Sequence, residues 1–129
     1  MMSRSDDAGR TWLKPWQVTT SPIHVTVSEM RGRRVERRVR LMPHIATHED
    51  RLYLSWVRGG EERSEVAMLL ATSDDKGRRF SEPIRVHEND QARPTFTSMA
   101  VSRNGDVACS WLDNRTDVQQ CFMAVKPYG

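Results

Sequence analysis

Hydrophobic and polar residues alternate over short stretches of this chain, and turn residues separate the stretches. Residues 51–57, RLYLSWV, and residues 106–112, DVACSWL, are typical. A period of two residues predicts β-strands, and the spacing of an amphipathic helix is hard to find. We therefore predict an all-β, antiparallel fold with strands near 15–19, 23–29, 34–41, 43–47, 51–57, 65–72, 83–87, 94–101, 106–112 and 118–125.

Glycine-containing pairs mark the turns between these strands. Gly59-Gly60 and Asn104-Gly105 each predict a hairpin, the second with the two-residue turn that Asn-Gly favours. Residues 30–33, MRGR, predict a further hairpin in which Val25 faces Val39. Neighbouring strands are therefore expected to pair in chain order.

The two cysteines are expected to face each other across the last hairpin. Residues 113–117, DNRTD, predict a five-residue loop, and this register places Cys109 opposite Cys121. At that spacing the pair forms either a strained disulfide or two thiols in contact, and we expect the thiols.

Part of the chain repeats itself. Residues 43–58 and 94–115 both contain a proline, a strand, a turn, a strand that ends in Ser-Trp, and an arginine. After the first Ser-Trp, the unit continues into a third strand, an octet and a fourth strand. A four-stranded unit of about 50 residues is typical of a β-propeller blade.

Two octets share the pattern Ser-x-Asp-x-Gly-x-x-aromatic: residues 5–12, SDDAGRTW, and residues 73–80, SDDKGRRF. The serine and aspartate side chains are expected to bond within the loop, and the glycine supplies a positive φ. The aromatic residue is expected to pack back against the sheet. These structural positions are Ser5, Asp7, Gly9, Trp12, Ser73, Asp75, Gly77 and Phe80.

The octets resemble Asp-boxes, also called bacterial neuraminidase repeats, which are the signature loops of sialidase-like β-propellers. The resemblance implies one partial propeller over residues 1–129. Residues 5–19 would end one blade, 20–42 would form an inserted hairpin, 43–87 a complete blade, and 94–125 three strands of the next blade. Since propellers close with about four to eight blades, the ring would be incomplete. The chain would then be a fragment, a self-assembling unit or an open-sheet module.

The same resemblance implies a function on glycans. The parent would be an exo-sialidase or a related glycoside hydrolase, and this chain would be inactive alone. The alternative is a non-catalytic propeller module that binds glycans or proteins. The family's aromatic-Arg-Ile/Leu-Pro motif and its Tyr–Glu pair are not found. Residues 111–115, WLDNR, make Asp113 and Arg115 the candidate catalytic residues, or else a pair that organises the loop. Arg58 and Arg93 are further candidates for lining an axial channel.

Positive charge is concentrated in one segment of the chain. The chain has 129 residues, of which 29% are charged, and residues 31–40, RGRRVERRVR, hold six arginines. Alternation predicts that Arg34, Arg38 and Arg40 point to solvent. No aromatic residues interleave with them to stack bases, so we do not expect nucleic acid as a partner.

The remaining partners follow from what the sequence lacks. No apolar run is long enough to span a bilayer and no signal peptide is present, so no membrane partner is expected. The localisation stays open, and a secreted or periplasmic parent fits the resemblance. His44 and His48 are four residues apart, but they lie on a predicted strand and turn and not on a helix. They need not converge on a metal ion, so neither a metal nor a cofactor is expected. Expected partners are glycans, further blades or other copies of the chain.

Overall fold

The computed structural model of the chain describes residues 1–19, 25–38, 42–59, 65–88, 92–113 and 118–127; for residues 25–30 and 34–38 it describes the backbone alone. The strands in these ranges are β1 (Val25–Met30), β2 (Arg33–Arg38), β3 (His44–His48), β4 (Arg51–Arg58), β5 (Ala67–Ser73), β6 (Ile84–Arg85), β7 (Thr95–Val101), β8 (Val107–Asp113) and β9 (Gln120–Lys126). All of these strands pair antiparallel, and the described ranges contain no α-helix. The predicted all-β, antiparallel class is confirmed.

The strands form three sheets, each in chain order: β1-β2, β3-β4-β5-β6 and β7-β8-β9. The four-stranded sheet falls within the predicted range 43–87, and the three-stranded sheet ends one residue beyond the predicted range 94–125. The strand predicted over 15–19 is reduced to a single bridge between Met2 and Trp16. Short hairpin connections therefore account for the order of strands in every sheet.

The main core lies between the four-stranded and three-stranded sheets. Every second side chain of a strand points to the side of its sheet that faces the other sheet. Burial of apolar surface there stabilises the fold by about 25 cal/mol per Å² removed from water. Trp111 has the largest side chain of this core and is 4% exposed. The core residues are Tyr53, Met68, Leu70, Val107, Cys109 and Trp111, with Val86, Met99, Val101, Phe122 and Ala124 packed against them.

A second cluster covers the opposite side of the four-stranded sheet. Trp56, Ala67, Leu69 and Ala71 form it, with Leu54 and Phe80 packed alongside. Residues 67–71 of β5 are therefore buried from both sides. This explains why β5 reads AMLLA without alternation, as strands covered on both faces do.

The β7–β8 turn is longer than Asn-Gly predicts. Gly105 takes a φ of 85°, and the Ser102 N–H donates to the Asp106 carbonyl at 2.9 Å, so three residues form the loop. The Ser102 hydroxyl accepts the N–H groups of Asn104 and Asp106 and holds this wider turn. The hairpin is confirmed and its two-residue turn is wrong.

The β4–β5 hairpin is also longer than its glycine pair suggests. Arg58 pairs with Ala67, so the connection spans residues 59–66. Gly60 lies outside the described residues.

The predicted register of β1 and β2 is wrong by one residue. Val25 pairs with Arg38, and not with Val39. Arg31 and Gly32 have φ values of 54° and 71°, so they form a two-residue turn with positive φ at both positions. The predicted solvent-facing directions of Arg34, Arg38 and Arg40 lie outside what the structure describes.

The predicted pairing of the cysteines is also wrong. Cys109 lies opposite Ala124, and Cys121 lies opposite Leu112. Because this shift is an odd number of residues, it moves the two cysteines to opposite faces of the sheet. Cys109 is a buried free thiol, and Cys121 is an exposed one. The shift arises because β8 extends to Asp113 and β9 begins only at Gln120, with which Asp113 pairs.

We expect one thiol per chain to react in the native state in dilute solution. Burial raises the pKa of Cys109 to about 11, so little reactive thiolate forms at neutral pH, whereas Cys121 is open to solvent. Titration with a chromogenic disulfide should give one fast thiol before unfolding and two after it. The Cys121→Ser variant should lose the fast phase, and two fast thiols in the native wild type would contradict the burial of Cys109.

Candidate functional site

The first octet, residues 5–12, is held together by its own serine and aspartate. The Ser5 hydroxyl donates to Asp7 Oδ1 at 2.7 Å and accepts the Gly9 N–H at 2.8 Å. The Asp7 carboxylate accepts the Thr11 N–H at 2.8 Å and also the Thr11 hydroxyl. Ala8 and Gly9 take φ values of 57° and 86°. Two consecutive left-handed residues thus turn the loop, and side-chain bonds fix its width.

The second octet, residues 73–80, repeats these bonds except the one from the Thr11 hydroxyl, since Arg79 stands at that position. The Ser73 hydroxyl donates to Asp75 Oδ1 at 2.8 Å and accepts the Gly77 N–H at 2.9 Å. Asp75 Oδ1 accepts the Arg79 N–H at 2.8 Å. Lys76 and Gly77 take φ values of 60° and 84°. The two octets therefore form the same loop.

The backbone beside each octet pairs in the same way too. The matching pairs are Arg4–Leu13 and Met2–Trp16 around the first octet, and Thr72–Ser81 and Leu70–Ile84 around the second. Each octet thus closes an antiparallel hairpin of identical register. The second of these hairpins joins β5 to β6, the third and fourth strands of their sheet.

The aromatic residues of the two octets differ in their surroundings. Phe80 packs against the cluster around Trp56, as the sequence predicts. Trp12 is 66% exposed, so the prediction that it packs back is wrong. The second octet has a four-stranded sheet behind it, whereas the first hairpin has no described sheet on which Trp12 would rest.

The two octet hairpins touch each other. Trp16 Nε1 donates to the Gly77 carbonyl at 3.1 Å, and Arg4 Nη1 donates to the Lys76 carbonyl at 3.4 Å. A Cβ added at Gly77 would lie 2.7 Å from Met2 Cε. Gly77 is therefore required for its φ, and a side chain there would also have to displace the end of Met2.

The carboxylates of both octets are held in the ionised form. Bonds from the Thr11 hydroxyl and N–H lower the pKa of Asp7 to about 2. The Arg79 N–H lowers the pKa of Asp75 in the same direction. Groups that remain charged and bonded to their own loop do not act as general acids near neutral pH. The octets are thus loop-forming structures whose carboxylates are bonded within their own loops.

The candidate residue Asp113 lies at the end of β8 and is 2% exposed. Its Oδ2 accepts the Trp111 Nε1–H at 2.8 Å inside the core. A buried carboxylate in this position orients the indole ring and does not meet a substrate from solvent. Arg115 lies outside the described residues, so their pairing stays a prediction.

His87 is a core contact that the sequence did not indicate. It is 5% exposed, and its Nε2 accepts the Met68 N–H at 3.2 Å. Its ring lies 5.7 Å from the ring of Trp111, which also stacks on Phe122 at 6.2 Å. No motif surrounds this histidine, so its role depends on tertiary packing alone.

Several buried polar atoms lie near the junction of β3, β4 and β7. Thr97 is 3% exposed and lies, with Phe96, in a bulge opposite Trp111. Ser55 is fully buried opposite His44. β7 contacts both β3 and β4. The atoms without a hydrogen-bond partner in this group are His44 Nε2, Ser55 Oγ, Arg93 Nε and Thr97 Oγ1.

The other candidate residues have structural contacts. Arg58 Nε donates to the Glu65 carbonyl at 3.1 Å, which ties down the β4–β5 connection. His48 Nε2 lies 2.9 Å from the Arg103 carbonyl. Within the described residues, no group of three or more His, Cys, Asp or Glu side chains is placed to hold a metal ion.

Comparisons with protein-family models, with curated proteins and with solved structures each found no match to this chain. A search of the described residues for a helix of the length and hydropathy that a membrane span requires also found none. The sialidase-like family therefore stays a prediction that rests on the octets and their surroundings.

Gly77→Ala is expected to destabilise the chain more than Gly9→Ala. Both substitutions place alanine in the left-handed region, at a cost of about 1–2 kcal/mol. At Gly77 the new methyl also displaces Met2, whereas nothing lies within 4 Å at Gly9. Urea unfolding of the two variants measures the difference, and adding Met2→Ala to Gly77→Ala should recover part of the loss. Equal losses in the two single variants would contradict the contact between the hairpins.

The carboxyl of Asp7 is expected to titrate near pH 2. Its folded pKa lies below the ordinary value of 3.8, so its bonds stabilise the loop above pH 3.8, and this stability is lost as the pH falls to about 2. Thr11→Ala should raise the pKa towards 3.8, because the hydroxyl bond is the largest cause. Carboxyl NMR titration measures this shift. The matched control, Arg79→Ala, should change the pKa of Asp75 little, because Asp75 accepts mainly from the backbone N–H.

Proposed function

We propose that this chain is a segment of a sialidase-like Asp-box propeller whose parent acts on glycans as an exo-sialidase or a related glycoside hydrolase. In this proposal the chain supplies blades and performs no hydrolysis by itself. The observation that carries it is the set of three matching hydrogen bonds in the octets 5–12 and 73–80. The chain forms this loop twice, with matching internal bonds, similar φ values and the same flanking pairs. This repetition supports a repeated blade.

The arrangement of the two larger sheets supports blades around a common axis. β3 and β7 are the first strands of their sheets, and they contact each other. The bond between His48 and the Arg103 carbonyl joins the ends of these two strands. Trp56 faces away from the three-stranded sheet, and its counterpart Trp111 faces the four-stranded sheet. Both tryptophans therefore point the same way along the stack, as successive blades require.

The burial of the candidate groups supports a scaffold role. Asp113 is sealed in the core by Trp111, and Tyr53 is 3% exposed within β4. Neither side chain reaches a surface where a glycoside would bind. Hydrolysis by the parent would therefore need an acid, a nucleophile and arginines from outside these residues.

A second candidate function is a non-catalytic propeller module that binds glycans or proteins. The same burial of Asp113 favours it, because the candidate acid does not reach solvent. The two functions differ in whether the parent cleaves the glycan that it binds.

The purified chain is expected to show no turnover of a fluorogenic sialoside. Asp113→Asn keeps a hydrogen-bond acceptor for Trp111 and removes the carboxylate. It should show the same absence of turnover as the wild type. Turnover by the wild type that disappears in Asp113→Asn would overturn the scaffold role. Binding to immobilised sialylated glycans that is lost on desialylated ones would support a parent that acts on glycans, and cleavage of the sialoside by the parent would separate the two functions.

A further inference from the structure

The β1–β2 hairpin holds the main concentration of positive charge in the chain. The chain has 20 lysine and arginine residues and 17 aspartate and glutamate residues, and residues 31–40 hold six of the arginines and one of the glutamates. The rest of the chain therefore contains more acidic than basic residues. Four of the arginines lie in β2, and Arg31 lies in the turn before it. A local excess of positive charge of this kind attracts polyanions.

The register of the hairpin places both of its glutamates on one face. Because Val25 pairs with Arg38, Glu29 lies opposite Arg34. Residues two apart on a strand share a face, so Glu36 lies on the face of Arg34 as well. The register predicted from the sequence would have put one glutamate on each face. The observed shift by one residue therefore leaves the other face without an acidic residue.

The two faces of the hairpin thus differ in charge. The mixed face carries two arginines and two glutamates, and its positions are Val25, Val27, Glu29, Arg34, Glu36 and Arg38. The acid-free face carries two arginines and two hydroxyl residues, and its positions are Thr26, Ser28, Met30, Arg33, Val35 and Arg37. Guanidinium and hydroxyl groups both donate hydrogen bonds to oxyanions. The positive charge of the acid-free face is therefore available to a ligand, whereas that of the mixed face is offset by its own glutamates.

The spacing of the arginines indicates a chain-like ligand. Arg33 and Arg37 lie four residues apart, which is about 13 Å along an antiparallel strand. A single phosphate or sulfate group is too small to contact both, whereas a polymer that lies along β2 contacts each in turn. Arg31 extends this line into the turn, and both Arg31 and Arg33 are exposed. Residues 25–38 contain no aromatic residue on which a base would stack.

We propose that the acid-free face binds a linear sulfated polysaccharide. Charge complementarity favours a polyanion, the spacing favours a polymer, and the lack of aromatic residues favours a polymer without bases. Sulfate groups along such a chain supply oxyanions that guanidinium groups bind through paired N–H donors. This inference goes beyond the proposed function and does not depend on it, because the hairpin is a separate sheet that contains neither octet.

The test is the binding of fluorescein-labelled heparin to the full chain, measured by fluorescence anisotropy over a range of salt concentrations. The wild type should bind, and its affinity should fall steeply as the salt concentration rises, because binding releases counterions. The double variant Arg33→Gln/Arg37→Gln should weaken binding by about tenfold or more. The matched control Arg34→Gln/Arg38→Gln removes the same charge from the mixed face and should weaken binding by about threefold or less.

A second pair of variants adds charge instead of removing it. Ser28→Glu places an acid on the acid-free face, opposite Val35 and between the two arginines, and should weaken binding strongly. Val27→Glu adds the same charge to the mixed face and should have a smaller effect. Far-UV circular dichroism checks that every variant is folded.

Three outcomes would contradict the proposal. Absence of heparin binding by the wild type would overturn it, and equal losses in the two double variants would show that net charge alone matters and not the acid-free face. Binding of a DNA duplex of similar length as tightly as heparin, or more tightly, would overturn the polysaccharide in favour of nucleic acid. Hyaluronan, which carries carboxylates and no sulfate, should bind more weakly than heparin, and equal binding would overturn the requirement for sulfate.

Discussion

The packing of the three-stranded sheet against the four-stranded sheet is the contact on which the rest of the structure depends. A small antiparallel sheet is marginally stable until one of its faces is removed from water. Trp111 supplies the largest buried side chain at this contact, and its ring reaches both His87 and Phe122. The buried Asp113 accepts from the indole N–H and fixes the ring. Without this contact both sheets would expose an apolar face.

The octets are hairpin loops that end one strand and begin the next at a fixed separation. Their serine and aspartate side chains satisfy the N–H groups that a tight loop leaves free. Because these bonds are local, the loop keeps its form in two settings: one exposed around Trp12 and one packed around Phe80. A loop that carries its own bonds is well suited to repetition along a chain.

The sequence alone predicted the structure correctly where the signal is local. Alternation and the Ser-Trp repeats predicted β3, β4, β7 and β8, and the shared octet pattern predicted one loop formed twice. It failed where a register depends on loop length: the pairing of Val25 is shifted by one residue, and a shift of three residues reversed the face predicted for Cys121. The burial of Asp113 and the contact of His87 with Trp111 could not be predicted either. Both depend on which sheet packs on which, and one sequence without tertiary information does not contain a local signal for that.

Met2 is an oxidisable side chain at the contact between the two octet hairpins, where it lies beside Gly77. Met2 Sδ lies 3.2 Å from the place where a Gly77 Cβ would be, in a gap that only a glycine leaves open. Oxidation to the sulfoxide would add a polar oxygen to an atom that fits there as an apolar thioether. The first hairpin would then keep its hydrogen bonds from Trp16 and Arg4 to the second octet but lose the apolar packing of Met2. Reduction of the sulfoxide to the thioether would restore that packing.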